Sequence, residues 1–304
     1  MEKRSAPFED RKRMTYLGEA LVRRLDEVQS PLVSNYDLFV HLWQLHESGD
    51  VKYLRSEHPS RDTFSRTRTL LKQEGLLRRD KDYHSLWRVT SVSDVPADDA
   101  VCIADPFCYI SHLSAMQRYG LTNRRPEALF LTRPLDAVVR QKLKERREED
   151  FGEVLHDSEV YVEKLTAVRH PEHVRGRPVS ILASKFFGSW RQVRASRARI
   201  GSVGQTFLDM LEAPERCGGM RHVLEAWEEH AKTYLEEIIR QVSDAPKAIY
   251  KVRAGYILSE RLGIEDQRVL EWKSFAQRGG SRLLDPDRPY LDRYSEEWMI
   301  SINV

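Results

Sequence analysis

Between Met14 and Val28 (MTYLGEALVRRLDEV), Leu17, Leu21, Val22 and Leu25 fall on one stripe at helical spacing. This predicts an amphipathic helix, ended by Ser30-Pro31. Ser34 stands as an N-cap before Tyr36 to His46 (YDLFVHLWQLH), where Leu38, Phe39, Leu42, Trp43 and Leu45 predict a second helix that packs inward. A polar connection, SGDVKYLRSEHP, leads to SRDTFSRTRTLLKQEGLL. On a helical wheel, Phe64, Thr67 and Leu71 of this stretch fall together, with Leu70 and Arg68 at the flanks. Arg61, Asp62, Ser65, Arg66, Thr69, Lys72 and Gln73 fall on the opposite side, and Ser60 is placed to cap the helix. Gly75 breaks the pattern, and LLRR and SLWRVT predict two short strands joined by the charged turn DKDYH. Three helices followed by a hairpin is the order of a winged helix-turn-helix, which we assign to residues 13–92, after a flexible tail at residues 1–12.

The acidic stretch SVSDVPADD carries Pro96, lacks apolar periodicity and reads as a linker. Beyond it, strands and helices mix. DPFCYISHLSAMQRYGL reads as a helix ended by Gly120 and ALFLTRP as a short buried strand. LDAVVRQKLKERREED reads as a helix that finishes in a solvated charge run. VYVEKLTAVRH and RPVSILAS read as strands. Helices follow in VGQTFLDMLEAPE, GGMRHVLEAWEEHAKTYLEEIIRQV and APKAIYKVRAGYILSERLGI, and EEWMISINV closes as a strand. The expected fold class is helix-rich α+β. An N-terminal winged helix-turn-helix precedes a mixed α/β C-terminal domain over residues 100–304 that ends in helices. There is no internal repeat and no low-complexity tract.

Charge changes this picture only locally. The 49 Lys and Arg nearly balance 47 Asp and Glu, so the chain as a whole does not announce a nucleic-acid partner. Between Lys52 and Arg88, however, ten basic residues face five acidic ones. The first turns of a recognition helix meet base edges, and arginine can bridge guanine O6 and N7. Arg61, Ser65, Arg66 and Thr69 are therefore the expected readers of double-stranded DNA, with Arg68 and Lys72 on the same helix. Arg78, Arg79 and Lys81 stand where a wing would touch the backbone. The bland alternative is a solvated helix face, and the position of this helix as third before a hairpin favours DNA. A second basic stretch, from Arg169 to Arg199, holds eight basic residues against Glu172, with Phe186, Phe187 and Trp190 interleaved. Lys185, Arg191, Arg194, Arg197 and Arg199 form a candidate secondary patch for phosphates and stacked bases, against the reading of a solvated edge over buried aromatics.

Other chemistry is thin. Cys102, Cys108 and Cys217 form no CxxC pair, which argues against a disulfide framework or a zinc site and fits a reducing compartment. The N-terminus MEKRSAPFEDRKR has no apolar core of a signal peptide, and no apolar run reaches a membrane span. A soluble cytoplasmic protein with no membrane partner is expected. GSVGQT (201–206) superficially resembles a phosphate loop, yet no Lys precedes the Thr. His112 lies beside Ser111 and Ser114 with no identifiable acidic partner. No catalytic residue, metal ligand or cofactor is expected. An enzyme acting on nucleic acid through the Arg169–Arg199 stretch would need clustered carboxylates or metal-ligand spacing that the sequence lacks.

Four segments carry a family resemblance. ADPFCYISHLSAMQRYGLT (104–122) resembles the "aYISh-SAl--hGLT" helix of the AbiEi family of antitoxin-type transcriptional regulators. GSVGQTFLDMLEAPERCGGMRHVLEAW (201–227) is similar to that family's "peRtllDlL--Pe-aGGi--v--al" segment. RAGYILSERLGI (253–264) is similar to its "rlGyLLe-lG" helix, and EEWMISINV to its closing "W-l-iN" strand. The resemblance implies a bacterial abortive-infection or type IV toxin–antitoxin operon. An N-terminal winged helix would repress the operon at promoter inverted repeats, as a homodimer or as cooperating monomers on the nucleoid. The C-terminal domain would counteract a nucleotidyltransferase toxin without a stable complex. Gly204-Gln205-Thr206 replaces the family's "peRt", so a role for that arginine is not carried over. The alternative is a transcriptional regulator or DNA-binding component of another phage-defence locus, without antitoxin activity.

Overall fold

A computed structural model of the protein describes residues 14–277 and 282–304. The tail read at residues 1–12 lies outside the described residues. The fold is α+β with mixed sheets, and the chain forms two units whose segments interleave. The first takes the described residues up to Pro96, with Ile103–Pro106 and Asp136–Pro171. The second takes Ala97–Cys102, Phe107–Leu135 and the described residues from Glu172 to Val304. Sequence periodicity marks a change near residues 92–100 but gives no sign that 136–171 returns to the first unit.

In the first unit, α1 (Tyr16–Val28) is capped by Thr15, whose hydroxyl accepts from the Gly18 amide at 3.1 Å. After β1 (Leu32–Val33), α2 (Asn35–Ser48) starts in a capping box. Ser34 Oγ accepts from the Asp37 amide at 3.0 Å, and the Asp37 carboxylate accepts from the Ser34 amide at 3.2 Å. Then come α3 (Arg61–Gln73), β2 (Leu77–Arg79) and β3 (Trp87–Val89), the strands forming an antiparallel sheet in the order β1-β3-β2. The hairpin is thus joined by a third strand, Leu32–Val33, too short to show alternation in sequence. Leu21, Leu25, Phe39, Leu42, Phe64, Leu71 and Trp87 share one buried core.

The elements α4 (Ala97–Ala104), β4 (Tyr109–Ile110), α5 (His112–Arg118) and β5 (Leu129–Pro134) precede α6 (Asp136–Phe151). The stretch read as a linker therefore ends inside α4, where Asp98 and Asp99 suit the positive end of the helix dipole. The helix read over DPFCYISHLSAMQRYGL starts only at His112, because Tyr109–Ile110 pair with β5 instead. The charge run ending α6 is built in rather than only solvated. Arg146 reaches Asp37 at 2.6 Å and Asp150 at 3.5 Å, and Phe151 packs against the Tyr36, Phe39 and Trp43 rings. Burial works to raise the Asp37 carboxyl, but Arg146 and the Ser34 hydrogen bonds outweigh it and hold the group below its ordinary pKa.

VYVEKLTAVRH is not a strand. It runs irregularly with no ladder among the described residues, and Val160, Tyr161, Val162 and Leu165 lean on the first core.

The second unit is built on a six-stranded mixed sheet. Its order is β6-β7-β5-β4-β9-β8, with β6 (His173–Val174), β7 (Arg177–Ser184), β8 (Trp190–Gln192) and β9 (Arg199–Gly201). β7 runs parallel to β5 from Val179 to Ser184, and β9 runs parallel to β4. Helices follow: α7 (Val203–Glu212), α8 (Met220–His230), α9 (Leu235–Ser243), α10 (Ala248–Gly255) with a wide-turned extension to Arg261, and α11 (Gln267–Glu271). The helix read as continuous over 218–242 is two, α8 and α9, separated at residues 231–234. The closing strand β11 (Ile300–Ser301) pairs with β10 (Tyr294–Ser295). Phe207, Trp227, Ile238, Val252 and Trp298 sit in one core. GSVGQT is a strand end, an N-cap (Ser202) and a helix start. Gly204 is there for packing, since a Cβ on it would meet the Glu237 carbonyl oxygen of α9 at 2.3 Å.

Candidate nucleic-acid interface

The Ser60 hydroxyl accepts from the Thr63 amide at 3.2 Å and fixes the start of α3. Phe64, Thr67 and Leu71 are buried, and Phe64 meets the Phe39 ring edge-on at 5.4 Å. Thr67 sends its hydroxyl back to the Thr63 carbonyl at 2.9 Å, so a polar side chain can sit on the buried face. With that face held, Arg61, Ser65, Arg66, Thr69 and Lys72 are exposed together.

Three of the expected contact residues are partly committed to the fold. Arg68 is half-buried, donates to Asn35 Oδ1 at 3.1 Å and lies 5.1 Å from the Phe64 ring centre. The same Asn35 oxygen accepts from Trp87 Nε1 at 2.7 Å. Asn35, the first residue of α2, thereby ties α3 and β3 at one atom. Arg79 lies 3.7 Å above the Trp87 ring and Lys72 lies 5.5 Å from it. Partial burial, then the charge of Arg68, pull the Arg79 guanidinium below its ordinary pKa. Arg78 and Lys81 are exposed on β2 and the following turn.

That turn is stiffened from beneath. Asp80 Oδ1 accepts from the Asp82 and Tyr83 amides at 3.0 and 2.9 Å. The buried Tyr83 hydroxyl pairs with His170 Nδ1 at 2.7 Å, and His170 Nε2 with Asp105 at 3.1 Å. The long connection before α3 is likewise anchored. His58 stacks on Trp43 at 4.2 Å, and His46 Nδ1 donates to the Ser56 carbonyl at 3.1 Å.

Sequence spacing did not show the strap at residues 158–165. Tyr161 meets Phe39 edge-on at 5.4 Å, and its hydroxyl donates to Glu163. Burial, then Glu163, push the Tyr161 phenol up to about 12, while Arg61 and Arg68 act to lower it. The strap therefore runs beside the first turns of α3.

In the second unit, Lys185, Arg191, Arg194 and Arg197 are exposed, as are Trp190 and Phe186, at 46% and 39%. Arg191 is partly engaged, donating to the Tyr119 hydroxyl at 3.0 Å. Arg199 serves the interior: it donates to the carbonyls of Cys102 at 2.6 Å and Cys108 at 2.9 Å. The same unit buries a polar centre. His112 has a left-handed backbone (φ 50°), and its Nδ1 lies 2.7 Å from Ser111 Oγ. The acid that sequence spacing did not reveal is Asp209, which accepts from the His112 amide and, at 2.6 Å, from Gln205 Nε2. His112 Nε2 and Asp209 Oδ2 are buried with no hydrogen-bond partner among the described residues. Burial, helped by Arg216, pushes His112 down to about 3. Burial, helped by Glu212, pushes the Asp209 carboxyl up to about 7. The cysteines are buried and in no disulfide.

No family model matches this chain, and no curated protein matches it. Among solved structures, the RV2827C protein from Mycobacterium tuberculosis is similar over 96% of this chain and 92% of its own, at 15% identity and a TM-score of 0.46. Among the described residues, no helix is long and apolar enough to cross a membrane.

Proposed function

We propose that the first unit is a winged helix-turn-helix that binds double-stranded DNA, with α3 in the major groove and the β2–β3 turn as its wing. The chain then acts as a transcriptional repressor of its own operon. The observation that carries this reading is the division of α3 into two faces. Phe64, Thr67 and Leu71 bury one, and Arg61, Ser65, Arg66, Thr69 and Lys72 share the other, with Arg78 and Lys81 exposed on the adjoining hairpin. A bidentate arginine–guanine pair discriminates by about 1–3 kcal/mol, whereas phosphate contacts add affinity without sequence choice. Arg66→Ala should therefore weaken binding to the chain's own promoter more than to unrelated duplex. Arg78→Ala should weaken both about equally and make the salt dependence shallower by about one. An unchanged specificity ratio in Arg66→Ala would remove α3 from base reading.

Inverted repeats would be covered by two copies, as a homodimer or as cooperating monomers, with half-sites about one helical turn apart. The antitoxin role against a nucleotidyltransferase toxin is supported by the motif resemblance in residues 104–122, 201–227 and 253–264. Co-expression with the neighbouring gene, scored for growth rescue, tests it. No rescue together with promoter binding favours a regulator of another defence locus.

A further inference from the structure

A groove of about 460 Å³ lies between α3 and the strap. Arg61, Ser65 and Arg68 form one wall over Phe64, and Glu163 and Lys164 belong to the other. Three cations against one carboxylate leave an excess of positive charge, with a hydroxyl between them. The Phe64 floor is 3% exposed, so the charges stand over an apolar surface where their fields are less screened. The carboxylate is itself restrained, because the Tyr161 hydroxyl donates to Glu163 and the Tyr161 ring is seated on Phe39. Lys164 is exposed at the rim.

We infer that this groove seats one phosphate group, held by Arg61 and Ser65 of α3 and by Lys164 of the strap. A tetrahedral oxyanion matches a guanidinium fork on one side, a hydroxyl beside it and a mobile ammonium opposite. A dianion or phosphodiester offsets the excess charge, and Glu163 limits how much negative charge the groove accepts. The inference rests on the DNA reading only for the source of the phosphate. If α3 lies in a major groove, the strand passing its first turns supplies a backbone phosphate there, and the strap becomes a second wing at the opposite end of the helix from Arg79. Arg61 then positions the helix, and Arg66 and Thr69 are left to read bases. A free phosphate-bearing ligand is the other source.

The test uses the full chain as wild type, Lys164→Ala and Lys164→Arg. Each is titrated with promoter and unrelated duplex across a salt series, and separately with inorganic pyrophosphate alone. The inference expects Lys164→Ala to weaken both duplexes by a similar factor, about threefold to tenfold, and to make the salt slope shallower by about 0.9, with Lys164→Arg restoring both. Wild-type affinity and slope in Lys164→Ala, while Arg66→Ala still loses specificity, would overturn the groove and leave the DNA reading standing. Pyrophosphate binding that depends on Lys164 in a chain that binds no duplex would support the groove as a seat for a free ligand and end the DNA reading. Binding of neither probe would overturn both.

Discussion

Replacing Asn35 by alanine removes a single oxygen on which three elements of the first unit converge. That oxygen accepts from Trp87 Nε1 at 2.7 Å and from Arg68 at 3.1 Å. Trp87 is 2% exposed, so its indole N–H would be left without a partner away from water, at a cost of about 1–3 kcal/mol. Arg68 is only half-buried and can turn to solvent, so its bond adds at most about 1 kcal/mol. Alanine favours the helix over asparagine by about 0.5 kcal/mol, which offsets part of the loss. The net expectation is about 0.5–3.5 kcal/mol, a fall of about twofold to about three-hundredfold in the folded ratio of this unit. Hydrogen exchange read on peptides from α3 and β3 under mild urea reports that opening separately from the second unit. DNA affinity should fall with it, because Arg79 rests on the Trp87 ring that Asn35 holds. Asn35→Asp keeps the acceptor and should hold stability. A loss below about 0.5 kcal/mol in Asn35→Ala would show that the junction does not orient α3.

Asp209 and His112 predict opposite pH slopes in the second unit. Folding raises Asp209 to about 7, so its contribution is fully present below the unfolded value near 3.9 and is lost as pH rises through 7. Folding lowers His112 to about 3, so its contribution is present above the unfolded value near 6.5 and is lost as pH falls toward 3. The two cancel between about pH 4 and 6.5. Asp209→Asn should expose the histidine slope, with stability rising by about 1.4 kcal/mol per pH unit across that window. A flat denaturation profile in the variant would refute this pairing. Gly204→Ala places a Cβ 2.3 Å from a backbone oxygen of α9 and should cost about 1–3 kcal/mol, seen as faster exchange in α7 and α9. Unchanged exchange would show that the helices can part without loss.

What sequence patterning revealed was local. The N-caps Ser34 and Ser60 and the buried trio Phe64, Thr67 and Leu71 follow from spacing within one helix, and the cap and Thr67 hydrogen bonds close within four residues. The strap was misread because three consecutive apolar residues look alike in a buried strand and in an irregular segment lying on a core. The return of α6 to the first unit depends on Arg146 finding Asp37, 109 positions away, which no window contains. Long cations were the other blind spot. A helical wheel puts Arg68 only at the flank of the buried face, and charge counting puts Arg199 in a basic patch. Their guanidinium groups turn inward to Asn35 and to buried carbonyls. Asp209 escaped notice as the acid beside His112 because it meets the backbone amide of His112 rather than its ring.

The most direct test of the DNA reading is equilibrium binding of the wild-type chain to duplex from upstream of its own reading frame, from about 50 to 200 mM salt. Base reading by Arg66 and Thr69 predicts tighter binding than to unrelated duplex of equal length, and phosphate contacts by Lys72, Arg78, Arg79, Lys81 and the strap lysine predict a log–log salt slope of about −4 to −5 per bound chain. Equal affinity for the two duplexes, or a slope near zero, would contradict it.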